Sequence, residues 1–207
     1  MVPDFLSWLA IGGTAVFAAS GALLALRKEM DIIGIIFVAM VTGVGGGTIR
    51  DLLLGETPVS WVKAPVDIVT CIAAALIVSL LNAKLAGKRM QWLLYADAVG
   101  LALFSVLGAH KAELAGAHWL VVALFGAVSA SFGGVIRDII CNELPVVFRG
   151  GVYVTAALLG ALVFIILPDG LGIEIRSLIA ATAALVLRLV AIRKDWSLPF
   201  PRYVRKD

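Results

Sequence analysis

Apolar residues run along this chain in long blocks, and polar residues gather in the short gaps between them. Seven blocks, 5–26, 32–54, 66–81, 91–108, 119–141, 151–167 and 172–192, approach the length a helix needs to cross the hydrocarbon of a bilayer, about 20 residues. The gaps at 27–31, 55–65, 82–90, 109–118, 142–150 and 168–171 are short and polar, and none is long enough to separate domains. The pattern predicts an all-α membrane protein with seven transmembrane helices. Composition agrees: of 207 residues 61% are hydrophobic and 15% charged, where soluble domains carry about 25% charge. The first block is too long for the apolar core of a leader peptide, and its basic residues, Arg27 and Lys28, follow it instead of preceding it, so it is expected to stay in the protein. A net charge of +3 concerns topology before partners and gives no ground for nucleic-acid binding.

A second pattern lies over the first. The stretch GGGTIRDLLLGETPV at 45–59 returns as FGGVIRDIICNELPV at 132–146, 87 residues later, with eight of fourteen paired positions identical from Gly46/Gly133 to Val59/Val146. The match includes two glycines, an arginine, an aspartate and a proline in order, which chance likeness between apolar segments does not produce. At the same offset Gly13, Phe17 and Gly21 pair with Gly100, Phe104 and Gly108. The unit is therefore three helices long. An odd number of crossings sets the two copies in opposite senses across the membrane, as two inverted three-helix repeats plus a seventh helix. The expected layout is one transmembrane domain, 1–195, with repeats at 5–82 and 91–168, the seventh helix at 172–193, and a cytoplasmic or interfacial tail at 196–207.

Basic residues in the gaps and tail give the orientation. Eleven, including Arg27, Lys28 and Arg149, fall on one side, and three, Lys63, Lys111 and Arg176, on the other. Positive residues favour the cytoplasm, so the expectation is a multi-pass protein of the bacterial or archaeal inner (plasma) membrane, N-terminus outside and C-terminus cytoplasmic. Arg50, Arg137 and Arg188 lie inside apolar blocks. Arg188, near the inner end of the seventh, is expected to snorkel toward the interface.

Gly45, Gly46 and Gly47 in the second block, and Gly133 and Gly134 in the fifth, fall near mid-block. Glycine costs a helix about 1 kcal/mol relative to alanine, and neighbouring positions point in different directions. The clusters are therefore expected to open the backbone at bilayer depth, which is tolerated only against protein or a water-filled cavity. The evenly spaced Gly13, Phe17 and Gly21 and their mates read instead as a packing stripe. Freed carbonyls suit a cation and half-helix N-termini an anion, so a break alone does not choose the sign of an ion. Thr42, Thr48, Ser129 and Ser131 are hydroxyls that either ligate a passing ion or bond back to their own helices. An intramembrane charge must face a cavity or a partner. Arg50 and Arg137 each precede an aspartate, Asp51 and Asp138, although adjacent helical residues do not face each other and partners on other helices are open to them. The pairs read either as pore charges or as clasps between helices.

These residues resemble the prokaryotic branch of the trimeric intracellular cation (TRIC) channels, a group also described as glycine-transporter-like bacterial membrane proteins. The doubled GGxxRD motif, the inverted repeats and the seventh helix carry the resemblance. It implies a homotrimer among membrane lipids, with a pore in each subunit bounded by the glycine-broken second and fifth helices and conducting monovalent cations, chiefly potassium. By position, Gly45, Gly46, Gly47, Gly133 and Gly134 match the kinks, and Arg50 and Arg137 the pore-associated basic residues. Inverted repeats equally suit alternating access, so a carrier for glycine or another small zwitterion is the alternative. An enzyme would need a convergent nucleophile, base or metal cluster. His110 and His118 share one gap with Lys111 and Glu113 and read as solvated interfacial residues, and Cys71 and Cys141 as small buried ones. No catalytic residue, cofactor or metal is expected beyond transiently bound monovalent cations.

Overall fold

A computed structural model describes residues 4–149 and 151–196, and the tail expected to lie along the membrane falls, beyond Trp196, outside the described residues. Seven apolar helices form the body: α1 (Phe5–Arg27), α2 (Ile32–Leu53), α4 (Val66–Leu80), α6 (Arg89–Leu114), α7 (Trp119–Ile140), α8 (Val154–Ile166) and α9 (Ile173–Arg193). Two single turns, α3 (Ser60–Lys63) and α5 (Asn82–Leu85), sit in the connections. Polar caps fix the ends: Asp4 accepts a hydrogen bond from Ser7 N at 2.8 Å and Asp31 one from Gly34 N at 2.7 Å, each satisfying a donor the first turn leaves free. Past α2 and α7 the chain turns through equivalent left-handed residues, Gly55 (φ 72°) and Asn142 (φ 51°). The next amides reach back five residues, Glu56 N to Asp51 O at 2.9 Å and Glu143 N to Asp138 O at 2.8 Å.

The repeats pack by matching elements. α1 lies against α6 and α2 against α7, while α9 covers α8 and α6. Small residues let the backbones approach, which is how helices associate where lipid is as apolar as the side chains. Ala18, Ala22, Ala25, Ala98, Ala102, Ala109, Ala156 and Ala157 are all fully or almost fully buried. The stripe read from the sequence packs as expected: Phe17 and Phe104 stack with ring centroids 5.3 Å apart, each over the other repeat's glycine, Gly100 and Gly13. Leucines, isoleucines and phenylalanines such as Ile33, Phe37, Leu80, Leu124 and Leu178 face outward.

The third helix of each repeat is short, α4 close to its expected bounds and α8 starting later than expected. α4 has 15 residues and α8 has 13, shorter than the blocks 66–81 and 151–167. At 1.5 Å per residue they rise about 22 and 20 Å, against a hydrocarbon core of about 30 Å. In both copies the connection before the short helix folds back onto the aspartate that ends the preceding one. The gap at 109–118 is also shorter than its polarity suggests, because α6 continues to Leu114 and carries His110, Lys111 and Glu113 on helix.

Candidate permeation site

Each Arg-Asp pair sits in the last turn of its helix and organises the chain that follows. Contrary to the expectation for adjacent residues, the guanidinium folds onto its neighbour: Arg50 Nε donates to Asp51 Oδ1 at 2.9 Å, and Arg137 Nε to Asp138 Oδ1 at 2.9 Å. The other carboxylate oxygen ties down the returning loop. Ser60 N and Oγ donate to Asp51 Oδ2 at 2.8 and 2.6 Å, and Val146 N donates to Asp138 Oδ2 at 3.1 Å. The glutamate shared by both copies then crosses to the first helix of the other repeat, Glu56 to Lys111 at 2.7 Å and Glu143 to Lys28 at 3.0 Å. The Lys28 ammonium, donating to Glu143, holds that carboxyl below its ordinary range.

Beyond these shared bonds the copies diverge. Arg137 is wholly buried, and its Nη1 donates to Asp97 at 2.7 Å and to Ser20 Oγ at 2.8 Å. Asp97 has no counterpart in the first repeat, where position 10 is alanine. Arg50 reaches only Ser129 Oγ across the repeat boundary, at 3.5 Å, and its aspartate takes the Lys111 ammonium at 2.8 Å, a lysine whose equivalent in the first repeat is Leu24. A polar network surrounds Arg137, whereas Arg50 borders a cavity of about 380 Å³ between α1, α2 and α6.

Gly47, Arg50 and Asp51 line that cavity, together with Asp4, Asp67 and Lys111, which the sequence did not single out. The space near Asp138 and Glu143 is a pocket of about 20 Å³. Between the two lies the crossing of α2 and α7. Both helices run unbroken through their glycines, so the interruption expected at Gly45–Gly47 and Gly133–Gly134 is absent. The glycines serve proximity instead. A Cβ on Gly46 would fall within 3.0 Å of Ser129 O, and one on Gly133 within 3.0 Å of Thr42 O, while one on Gly45 would meet the Ile136 side chain at 3.2 Å. Gly47 and Gly134 hold equivalent places beside their arginines, their Cβ positions 3.5 Å from Arg50 Nη2 and Arg137 Nη2.

The hydroxyls divide as the chemistry allowed. Thr42, Thr48 and Ser131 donate to the carbonyls of Val38, Val44 and Ala127 in their own helices, at 2.6, 2.8 and 2.7 Å, while Ser129 receives Arg50. Arg188 does not snorkel: it is buried, donating to Val152 O at 3.0 Å with its guanidinium 4.9 Å from the Tyr153 ring centroid. Arg176, counted among loop residues, is buried in the first turn of α9, bonded to Phe164 O and Glu113 and paired with Asp169. Cys71 and Cys141 are buried free thiols, and among the described residues no group of three or more His, Cys, Asp or Glu side chains is placed to hold a metal.

Comparison with known proteins places these features in a family. A family model described as "Glycine transporter" matches the chain twice, over residues 7–83 and 94–169, once for each repeat. The inner membrane protein YadS of Escherichia coli (strain K12) is 39% identical over 199 residues, covering 95% of each chain. The crystal structure of a TRIC trimeric intracellular cation channel orthologue from Rhodobacter sphaeroides shares 41% identity, with a TM-score of 0.86 over 92% of this chain and 98% of that one. A prokaryotic TRIC channel crystallised in 0.5 M KCl shares 30% identity, with a TM-score of 0.87 over 93% of this chain and 98% of that one. Apolar helices and an inner-membrane relative of this likeness make the protein a multi-pass protein of the bacterial inner membrane. The chain belongs to the trimeric intracellular cation (TRIC) channel family, among its prokaryotic members, which the glycine-transporter family model also describes.

Proposed function

We propose that the chain is one subunit of a homotrimeric channel for monovalent cations, chiefly potassium, with a separate path through each subunit. A polar cavity that descends to the α2–α7 crossing, in a chain 41% identical to a trimeric cation channel, is the observation that carries this reading. Ions enter through the cavity past Arg50 and Asp51. They cross at Gly45, Gly46 and Gly133, with Thr42 and Ser129 at the edge, and leave past Gly134, Arg137 and Asp138. Backbones this close require α2 and α7 to part during conduction. Thr48 and Ser131, like Thr42, donate their hydroxyl hydrogens within their own helices, which leaves oxygen lone pairs as the atoms that would meet a cation. The eleven-to-three basic asymmetry supports a cytoplasmic position for Lys28 and an external mouth for the cavity.

A carrier for glycine or another small zwitterion is the second reading. It is favoured by the description of the matching family model and by a cavity that leads to the crossing between the repeats. Purified protein in planar bilayers under a potassium gradient separates the two. Unitary potassium currents are expected; saturable glycine uptake into liposomes without unitary currents would replace the channel with a carrier.

A further inference from the structure

Five formally charged side chains line the cavity: Asp4, Asp51 and Asp67 against Arg50 and Lys111. Most of that charge is already committed. Asp51 receives Arg50, Lys111 and Ser60, and Lys111 also takes Glu56. Asp4, at the rim, caps α1 through Ser7 N. Asp67 is different. It stands half-buried in the first turn of α4, below the rim, and among the described residues it makes no ion pair within 4.0 Å. Its neighbours in the cavity wall are the Thr14 hydroxyl of α1 and, further in, the Arg50 guanidinium. The equivalent place in the second repeat holds Val154, which carries no charge.

An uncompensated carboxylate in a confined space with low-dielectric walls raises the local concentration of cations and depletes anions. Without it, the positive charges of Arg50 and Lys111 at the cavity floor are opposed by the carboxylates they already bind and by Asp4 at the rim. We propose that Asp67 sets the charge selectivity of this path, favouring cations over anions at the outer vestibule. The inference rests on the channel reading given above. A competing account is that Asp67 only complements the N-terminal dipole of α4, where an acidic first-turn residue is stabilising. That account predicts a change in thermal stability and none in selectivity.

Reversal potentials of the full-length protein in planar bilayers under a KCl gradient distinguish the two. Wild type and Asp67→Glu are expected to remain cation-selective, and Asp67→Asn to lower the K⁺/Cl⁻ permeability ratio about tenfold. Asp67→Cys gives an independent measure after folding, because Cys71 and Cys141 are buried and wild type treated in parallel controls for them. A methanethiosulfonate reagent bearing a sulfonate should restore cation preference, and one bearing a trimethylammonium should shift it toward anions. An Asn variant that conducts with the wild-type ratio overturns the proposal, as does a Cys variant that reads the same after either reagent. Failure of both variants to assemble also counts against it, since Asp67 would then be a folding residue. Absence of any current from wild type would instead refute the channel reading.

Discussion

At the scale of single residues, neighbouring glycines have different work. Gly46 is where one helix carbonyl meets another helix's backbone, so Gly46→Ala is expected to overpack the crossing and destabilise by about 1–3 kcal/mol, read as a lowered thermal midpoint in detergent. Gly47 faces the cavity with only the flexible Arg50 tip nearby, so Gly47→Ala should hold or raise the midpoint, helix propensity adding up to about 1 kcal/mol. Equal losses at both positions would contradict the packing account. The arginines differ in the same way. Arg137→Met strands the buried Asp97 carboxylate and should cost about 3–5 kcal/mol, with Asp97→Leu in the same chain recovering part of the loss. Arg50→Met borders the cavity and leaves Lys111 on Asp51, so it should cost less in the same melts. The sequence made the glycines and the Arg-Asp pairs visible because they recur. Asp97 escaped because it does not recur, and one aspartate in an apolar block gives no sign of which helix it will face.

At the scale of elements, the unit is a helix, its arginine and aspartate, the loop they hold, and a glutamate that reaches the opposite repeat. Lys28–Glu143 is the accessible example. Lysine depresses the folded-state pKa of the glutamate, so its contribution to stability is present above the ordinary glutamate value of about 4.3 and is lost as pH falls below it. Thermal melts of wild type and Glu143→Gln should differ at neutral pH and converge as the pH falls through the depressed folded-state pKa of Glu143; a difference that persists in strong acid would assign the effect to packing. Hydropathy showed where helices lie but misjudged two lengths for physical reasons. α6 runs through His110, Lys111 and Glu113 because their polar ends meet the cavity, Asp51 and Arg176 rather than solvent. α8 begins late because the apolar stretch after Gly151 is drawn into the returning loop. Arg188 misled for a related reason: its distance from the helix end was legible, whereas Tyr153 and the Val152 carbonyl come from elsewhere in the chain.

At the scale of the whole molecule, orientation is the property that makes one face external. A cysteine at position 63 is expected to react with an impermeant thiol reagent on intact cells and one at position 28 to be spared; the opposite pattern would reverse every assignment of sides. The fold itself was the most legible level, since the block lengths and the 87-residue offset leave little choice of arrangement. Which of two related faces would open was not legible, because it depends on the few positions where the copies disagree. Matching helices, α1 with α6 and α2 with α7, meet across the boundary between the repeats. That is the geometry of an isologous dimer, in which one surface recognises itself, here with the partners joined end to end. In a pair of separate identical halves every substitution appears on both faces, so a carboxylate that seals one would seal the other. Fusion removes that constraint. Asp97 and Lys111 can exist once each, and the two faces can carry different charges without giving up the self-matching contact that holds the molecule together.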